Sequence, residues 1–218
     1  VNIGLFTSPH LFSYCERIKV NNKNISQQDL DKYVNLAASS NDELTEFEIL
    51  TVAMFLYFRD KNVKYAVLEV GLGGRFDSTN VIENPLCSII TTVDFDHTQR
   101  LGTKISDIAY QKAGIIKKNC PVVIGIDNPA YQTVSECARS VGSPLFSPSF
   151  GVDISFDLNK NYATIHGERL EFSLLGKFQA KNLKLAIECL RHLPFSVSID
   201  EIKTALKNVK WPFRLEYH

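Results

Sequence analysis

Lys64 to Asn80 reads KYAVLEVGLGGRFDSTN, and this stretch decides the fold class. Its first half, Lys64–Val70, is a continuous apolar run, the pattern of a strand buried on both faces within a mostly parallel sheet. Glycines at 71, 73 and 74 then let the backbone turn sharply at the carboxyl edge of that strand, where open α/β sheets take their ligands. Glu69 sits inside the apolar run. A buried carboxylate must be paired with a base, protonated or bound to a cation; a strand acid paired with a nearby Lys or Arg accounts for it as well as a metal does. The glycines alone are no dinucleotide fingerprint, because GxGxxG must open a helix and RFDSTN is a poor helix start.

Working outward, the runs Asn2–Phe6, Cys87–Val93 and Pro121–Ile124 share the same continuous apolar character. Helices fall between them. Ser26 caps Gln27–Ala38, and Thr45 and Glu48 have the spacing of a capping box ahead of the stripe Phe47, Leu50, Met54, Phe58. Lys104–Ile116, Phe178–Leu193 and Ile199–Val209 read as further helices, the last behind Ser198 with Glu201 three residues on. Asp153–Ser173 differs, with short strands around an Asn159–Asn161 turn, so a small β meander is expected near 151–175. The expected fold class is α/β: one domain, a mostly parallel sheet flanked by helices, with that meander beside it.

Composition removes several functions. Twenty-four basic side chains balance 24 acidic ones, and no Lys/Arg run exceeds Lys117-Lys118, so nothing marks a polyanion surface and nucleic acid is not an expected partner. No segment approaches the roughly 18 apolar residues of a membrane span, and a soluble, cytoplasmic protein without a membrane partner is expected. The five cysteines, at 15, 87, 120, 137 and 189, form no CxxC pair and fit reduced thiols better than a disulfide framework or a zinc site.

Two more residues stand out. His97, in DFDHTQRLG (Asp94–Gly102), follows a buried strand and could be a metal ligand, a general base or a hydrogen-bonded loop histidine. Lys112 falls on the apolar stripe of its helix with Ile108, Ala109 and Ile116. A buried lysine is more readily neutral and can take up carbon dioxide as a carbamate able to ligate a metal; the alternative is a side chain that snorkels to solvent. Hard oxygen donors and no thiol partner would select Mg²⁺.

Seven motifs in order, TSPHLFSYCERIKVN (Thr7–Asn21), TEFE (Thr45–Glu48), EVGLGGRFDSTN (Glu69–Asn80), DHTQRLG, QKAGIIK (Gln111–Lys117), LLGKFQAKN (Leu174–Asn182) and WPFRLE (Trp211–Glu216), closely resemble the folylpolyglutamate synthases and bifunctional dihydrofolate synthases, within the larger group of Mur-type ATP-dependent ligases. The resemblance implies the fold of the P-loop-type central ATPase domain across residues 1–218. It also implies a reaction in which ATP activates a carboxylate of dihydropteroate or of a folate tail as an acyl phosphate, which the amine of L-glutamate then attacks. The implied cofactors are ATP and Mg²⁺.

By motif match, Glu69 and His97 would ligate Mg²⁺, Lys112 would be the carbamylated lysine, and Lys112 and His97 would be catalytic. Asn182 and Arg214 would contact ATP. Ser8 and Pro9, the segment Thr45, Glu46, Phe47 and Glu48, and the run Phe76, Asp77 and Ser78 would contact the pterin or folate substrate. Phe178, Phe213 and Gln111 depart from the residues usual in relatives. The family's P-loop is expected to precede residue 1 and its smaller closing domain to follow residue 218, so the chain by itself is expected to be incompetent, and monomeric. A ligase of cell-wall precursors and a non-catalytic folate-binding module are the competing readings.

Overall fold

The computed structural model describes residues 1–157 and 160–211, and within it the chain divides into two compact units, Val1–Glu83 and Asn84–His218. Arg214 and most of the WPFRLE motif therefore lie outside the described residues, as does the tip of the expected Asn159–Asn161 turn.

In the first unit, β1 (Asn2–Phe6), β2 (Ile18–Val20), β3 (Lys23–Asn24) and β4 (Val63–Leu68) form one sheet in the order β3-β2-β1-β4, with α1 (Gln27–Ala38) and α2 (Glu46–Asp60) between β3 and β4 in the chain. β1 pairs antiparallel with β2 and parallel with β4, Phe6 lying opposite Leu68. Both helices begin as the sequence predicts. The Ser26 hydroxyl accepts the Asp29 N–H, and Thr45 and Glu48 close a capping box in which each side chain takes the other's backbone N–H. The helices pack on each other, and Leu30, Tyr33, Leu50, Met54 and Phe58 join Phe6 and Ile18 in one buried cluster.

The strands of this sheet are not buried on both faces as expected. Phe6 is inaccessible, whereas Ile3 and Val67 stay 47% and 62% exposed. The helices cover one face, and β4 has no further neighbour among the described strands, so its apolar residues are only partly shielded. Glu69 accordingly falls one residue past β4 and is exposed, not enclosed by the run around it.

The second unit holds a parallel sheet of β5 (Ser88–Ile90), β6 (Val122–Ile124) and β7 (Leu145–Phe146), with β6 central and completely buried. Before β6 come a single turn α3 (Thr98–Leu101) and α4 (Ile105–Lys112), which tightens into a 3-10 turn over Ala113–Ile115 instead of running on to Ile116. α5 (Tyr131–Val141) is additional to the expected helices: it buries Val134 and Ala138, but it starts at Ala130 with no capping side chain to mark it in the sequence. The expected meander is present as β8 (Val152–Asp157), β9 (Lys160–Ile165) and β10 (Glu168–Glu171), all antiparallel. α6 (Gln179–Leu190) packs against β5, β6 and β8, and α7 (Ile199–Asn208) against β10, so Leu183, Ile187 and Leu206 join Val152, Ala163 and Phe172 in a second core.

A Cβ on Gly4 would stand 2.6 Å from the ring of the buried Phe58. Gly4→Ala is expected to destabilise the chain by about 1–3 kcal/mol in urea unfolding. Gly151→Ala, which meets nothing within 4 Å, should shift it by less than about 0.5 kcal/mol.

Candidate active site

Parallel pairing of β1 with β4 brings the segments after them to the same sheet edge. There the Ser8 N–H donates to Glu69 Oε2 at 2.8 Å, and the Glu69 N–H donates to the Phe6 carbonyl at 2.9 Å. The second Glu69 oxygen has no protein partner among the described residues. The Ser8-Pro9 peptide is cis.

The loop that follows is organised by a residue the sequence reading passed over. Glu16 accepts the N–H groups of Leu11, Phe12 and Ser13 at 3.0, 3.0 and 2.8 Å, while the Ser13 hydroxyl accepts the Cys15 N–H. The signal was present, since Ser13 and Glu16 have capping-box spacing. Arg17 Nε donates to His10 Nδ1 at 2.8 Å and its guanidinium lies over the Tyr14 ring, so Arg17 is engaged within the loop. Tyr14 in turn donates its hydroxyl to Glu46 Oε1 at 2.9 Å, and that bond with the Glu46 charge pushes the phenol above its usual range.

The other expected substrate residues gather around the same edge. Thr45 and Glu48 are occupied with each other: the Thr45 N–H and hydroxyl both donate to Glu48 Oε2, which holds that carboxyl below its usual range. Phe47 sits 5.8 Å from the Phe6 ring, and a Cβ on Gly71 would stand 2.5 Å from it, so only glycine lets the loop pass this close. Gly73 takes φ 70°, the left-handed region glycine enters without penalty. Asp77 has both oxygens committed, one to the Leu72 N–H and one to Thr79, and Ser78 shares a hydrogen bond of 2.7 Å with Thr51. Phe76 projects outward, 87% exposed.

In the second unit, β5 leads through the buried Val93 to an exposed loop, Asp94 to His97. His97 adopts φ 48°, ψ 38°, in the left-handed region, which histidine enters more readily than most non-glycine residues. Asp96 accepts the His97 N–H at 2.8 Å and its other oxygen is 3.7 Å from His97 Nε2. His97, Thr98, Gln99 and Arg100 line a surface hollow of about 250 Å³.

Lys112 ends α4. It is half-buried, with Ile108, Ala109, Ala113 and Ile116 around it in the core, between the enclosed and the snorkelling alternatives. Its ammonium has no ion pair or hydrogen bond among the described residues. Asn182 lies exposed in the first turn of α6, its amide donating to Gln179 Oε1 at 3.0 Å. Thus the structure brings Ser8, Glu69 and the loops at 45–48 and 76–78 together in the first unit, while His97, Lys112 and Asn182 belong to the second. Among the described residues, no group of three His, Cys, Asp or Glu side chains is arranged to hold a metal by itself. No helix is long and apolar enough to cross a membrane.

The sequence profile of the Mur ligase middle domain matches residues 23–190. The dihydrofolate synthase/folylpolyglutamate synthase of Bacillus subtilis is 35% identical over 98% of this chain and 55% of its own length. The apo form of L. casei FPGS superposes with a TM-score of 0.87 at 32% identity, covering 99% of this chain and 58% of that one. A bifunctional folylpolyglutamate synthase/dihydrofolate synthase solved with Mn, AMPPNP and L-glutamate bound gives a TM-score of 0.81 at 27% identity, covering 99% and 52%. The chain spans about half the length of these relatives.

Bonding to three N–H groups, the Leu11 amide foremost, favours the charged form of Glu16 and lowers its pKa from 4.5. Its contribution to the loop is therefore complete above 4.5 and lost as pH falls through the lower folded value. Amide exchange at Leu11, Phe12 and Ser13 should stay slow at that pH and accelerate only below it; in Glu16→Ala it should be fast throughout.

Proposed function

This chain belongs to the Mur ligase family through the middle domain it carries at residues 23–190, and on that premise we propose that it serves an ATP-dependent ligase joining L-glutamate to dihydropteroate, to the glutamyl tail of a reduced folate, or to both. The observation that carries the reading is Glu69: a carboxylate at the carboxyl end of a parallel strand, aimed by the Ser8 N–H and with one oxygen left for a ligand. Relatives named dihydrofolate synthase/folylpolyglutamate synthase, and a solved one holding Mn, a nucleotide analogue and L-glutamate, support the substrate class.

Each unit supplies a donor that a divalent ion accepts. Glu69 offers a hard carboxylate oxygen, and His97 an exposed imidazole beside Asp94 and Asp96. In the proposed assignment, made by motif match, Glu69 of the first unit and His97 of the second are each metal ligands, and the carboxylate oxygen with no thiol donor favours Mg²⁺. When bound, the ion supplies positive charge against the phosphate oxygens during transfer. Lys112 would contribute as a carbamate: its ammonium gives up one proton, the amine nitrogen bonds to the carbon of carbon dioxide, and a second proton leaves, which would give an anionic oxygen donor for the ion. Asn182 and Arg214 contact the nucleotide, Arg214 through a planar fork suited to phosphate oxygens.

The substrate carboxylate attacks the terminal phosphoryl group and ADP departs. The glutamate amine then attacks the acyl carbon and phosphate leaves. At the sheet edge of the first unit, Phe76 and the Ser8–Pro9 backbone face the pterin-bearing substrate, with Glu46 and Phe47 beside them. Thr45, Glu48, Asp77 and Ser78 shape the two loops through the bonds they already make.

In the protein expressed from its whole gene, Glu69→Ala and His97→Ala should each lower metal- and ATP-dependent glutamate addition by about 100-fold or more, with circular dichroism unchanged. Activity within twofold of wild type would refute the ligand assignment. Assays with dihydropteroate, tetrahydrofolate and a muramyl precursor separate the folate reading from a cell-wall ligase. Intact mass in bicarbonate buffer should show one added carbon dioxide that Lys112→Ala abolishes, together with its activity; a fully active Lys112→Ala variant would remove that residue from the mechanism.

A further inference from the structure

Asn128 lies where β6 leads into α5, in the segment GIDNPA at residues 125–130. Every polar group it carries is in use. Its N–H donates to the Gly125 carbonyl at 3.1 Å and its own carbonyl accepts the Tyr131 N–H at 2.9 Å, which closes the turn and opens α5. In the side chain, Oδ1 accepts the Ala130 N–H at 3.0 Å, and Nδ2 donates to the Thr91 carbonyl at 2.7 Å, across 37 residues of chain. One end of the amide meets a donor and the other an acceptor, so its orientation is fixed, and an aspartate here could satisfy only the Ala130 side.

Thr91 stands one residue past β5, on the segment that delivers His97. Among the described residues, the Asn128 amide makes the only hydrogen bond between residues 91–96 and another element. The remaining bonds there are local: Asp94 accepts the Phe95 N–H at 2.7 Å and Asp96 the His97 N–H at 2.8 Å. Beyond His97 the chain is secured again, because the His97 carbonyl accepts the Arg100 and Leu101 N–H groups as α3 begins, and Leu101 is buried. Ahead of His97 the loop is held by the buried Val93 side chain and by this one amide. A loop with so few anchors opens at small free-energy cost, so each tie governs how narrowly its tip is placed.

We infer that Asn128 is a positioning residue for His97: by holding the Thr91 carbonyl it fixes the exit of β5, and with it the place at which the imidazole is presented to a divalent ion. The inference rests on the reading of His97 as a metal ligand and extends that reading to a residue outside the seven motifs. Thr91, Asn128 and His97 all belong to the second unit, so it needs no contact with the first. Removing a group that orients a metal ligand changes metal affinity or activity by about 10–100-fold. Because His97 would touch the ion and not the folate substrate, the loss should appear in the metal dependence and spare the affinity for folate.

Asn128→Asp keeps the oxygen that accepts the Ala130 N–H and removes the donor to Thr91, setting a charge against that carbonyl. In the protein expressed from its whole gene, the Mg²⁺ concentration for half-maximal glutamate addition should rise about 10-fold, while kcat at saturating Mg²⁺ and the KM for the folate substrate are unchanged. Mn²⁺ binding followed by electron paramagnetic resonance should weaken by the same factor, with no turnover involved. Amide exchange at Phe95, Asp96 and His97 should quicken about fivefold and stay as it was through β6. A merely structural role would instead lower the unfolding temperature and kcat and leave metal affinity alone. Unchanged metal affinity and exchange in Asn128→Asp, beside a His97→Ala variant that has lost activity, would overturn the positioning role and leave the ligand assignment standing; a fully active His97→Ala variant would overturn both. Should Asn128→Asp fail to fold, Asn128→Ser, too short to reach Thr91, is expected to show the same shifts and is judged by the same outcomes.

Discussion

Everything proposed for the first unit depends on one constraint, the parallel pairing of β1 with β4 in the register that sets Phe6 opposite Leu68. Parallel neighbours end at the same edge, so the chain leaving β1 at Thr7 and the chain leaving β4 at Glu69 emerge side by side. The Glu69 N–H extends the ladder by one more bond to Phe6, and the Ser8 N–H then reaches the Glu69 carboxylate. A slip of one residue would turn Glu69 to the opposite face of the sheet and break both contacts. Phe6, wholly buried against α1 and α2, is what penalises that slip, because it would exchange places with a less buried neighbour.

The loops beyond that edge are held mainly by carboxylates accepting backbone N–H groups, not by apolar packing. Glu16 gathers three amides, Glu48 closes its capping box, and Asp77 bridges Leu72 and Thr79. Charge-assisted bonds of this kind are roughly twice as strong as neutral ones, which suits short loops with little core of their own. Phe47 links the two kinds of support. Its ring packs near Phe6 on the core side while the Gly71 backbone rests against it on the other, so loop position is coupled to core packing through a single side chain.

Those arrangements explain which features were legible in the sequence. Helix starts at Ser26, Thr45 and Ser198 are legible because caps are local chemistry, decided by residues within one turn. The continuous apolar strands were located, but their burial was overestimated for β4, since edge position is a property of the assembled sheet and leaves no mark on the strand itself. Lys112 illustrates the same limit. Its spacing puts it beside Ile108, Ala109 and Ile116, all three buried, yet its long cationic side chain stays half-exposed, because how far it is covered depends on neighbours the local pattern does not contain. The apolar run around Glu69 predicts burial, and the residue is exposed; what makes it notable is the Ser8 amide that fixes it, a contact across 61 residues that no local pattern encodes.

Polar residues in the recognition segments have finite hydrogen-bonding capacity, and this divides their roles. Asp77 uses both carboxylate oxygens on loop amides and a hydroxyl, so little remains for a ligand. Thr45 spends its hydroxyl on Glu48, and Ser78 meets Thr51. Phe76, by contrast, commits nothing inward and leaves a large apolar ring in solvent, an arrangement whose desolvation is recovered only when a flat apolar partner covers it. A pterin ring is such a partner. In the proposed folate reading, recognition at this edge would divide between an exposed aromatic and backbone groups held in place by acidic side chains, with motif residues such as Asp77 acting one step behind the surface they shape.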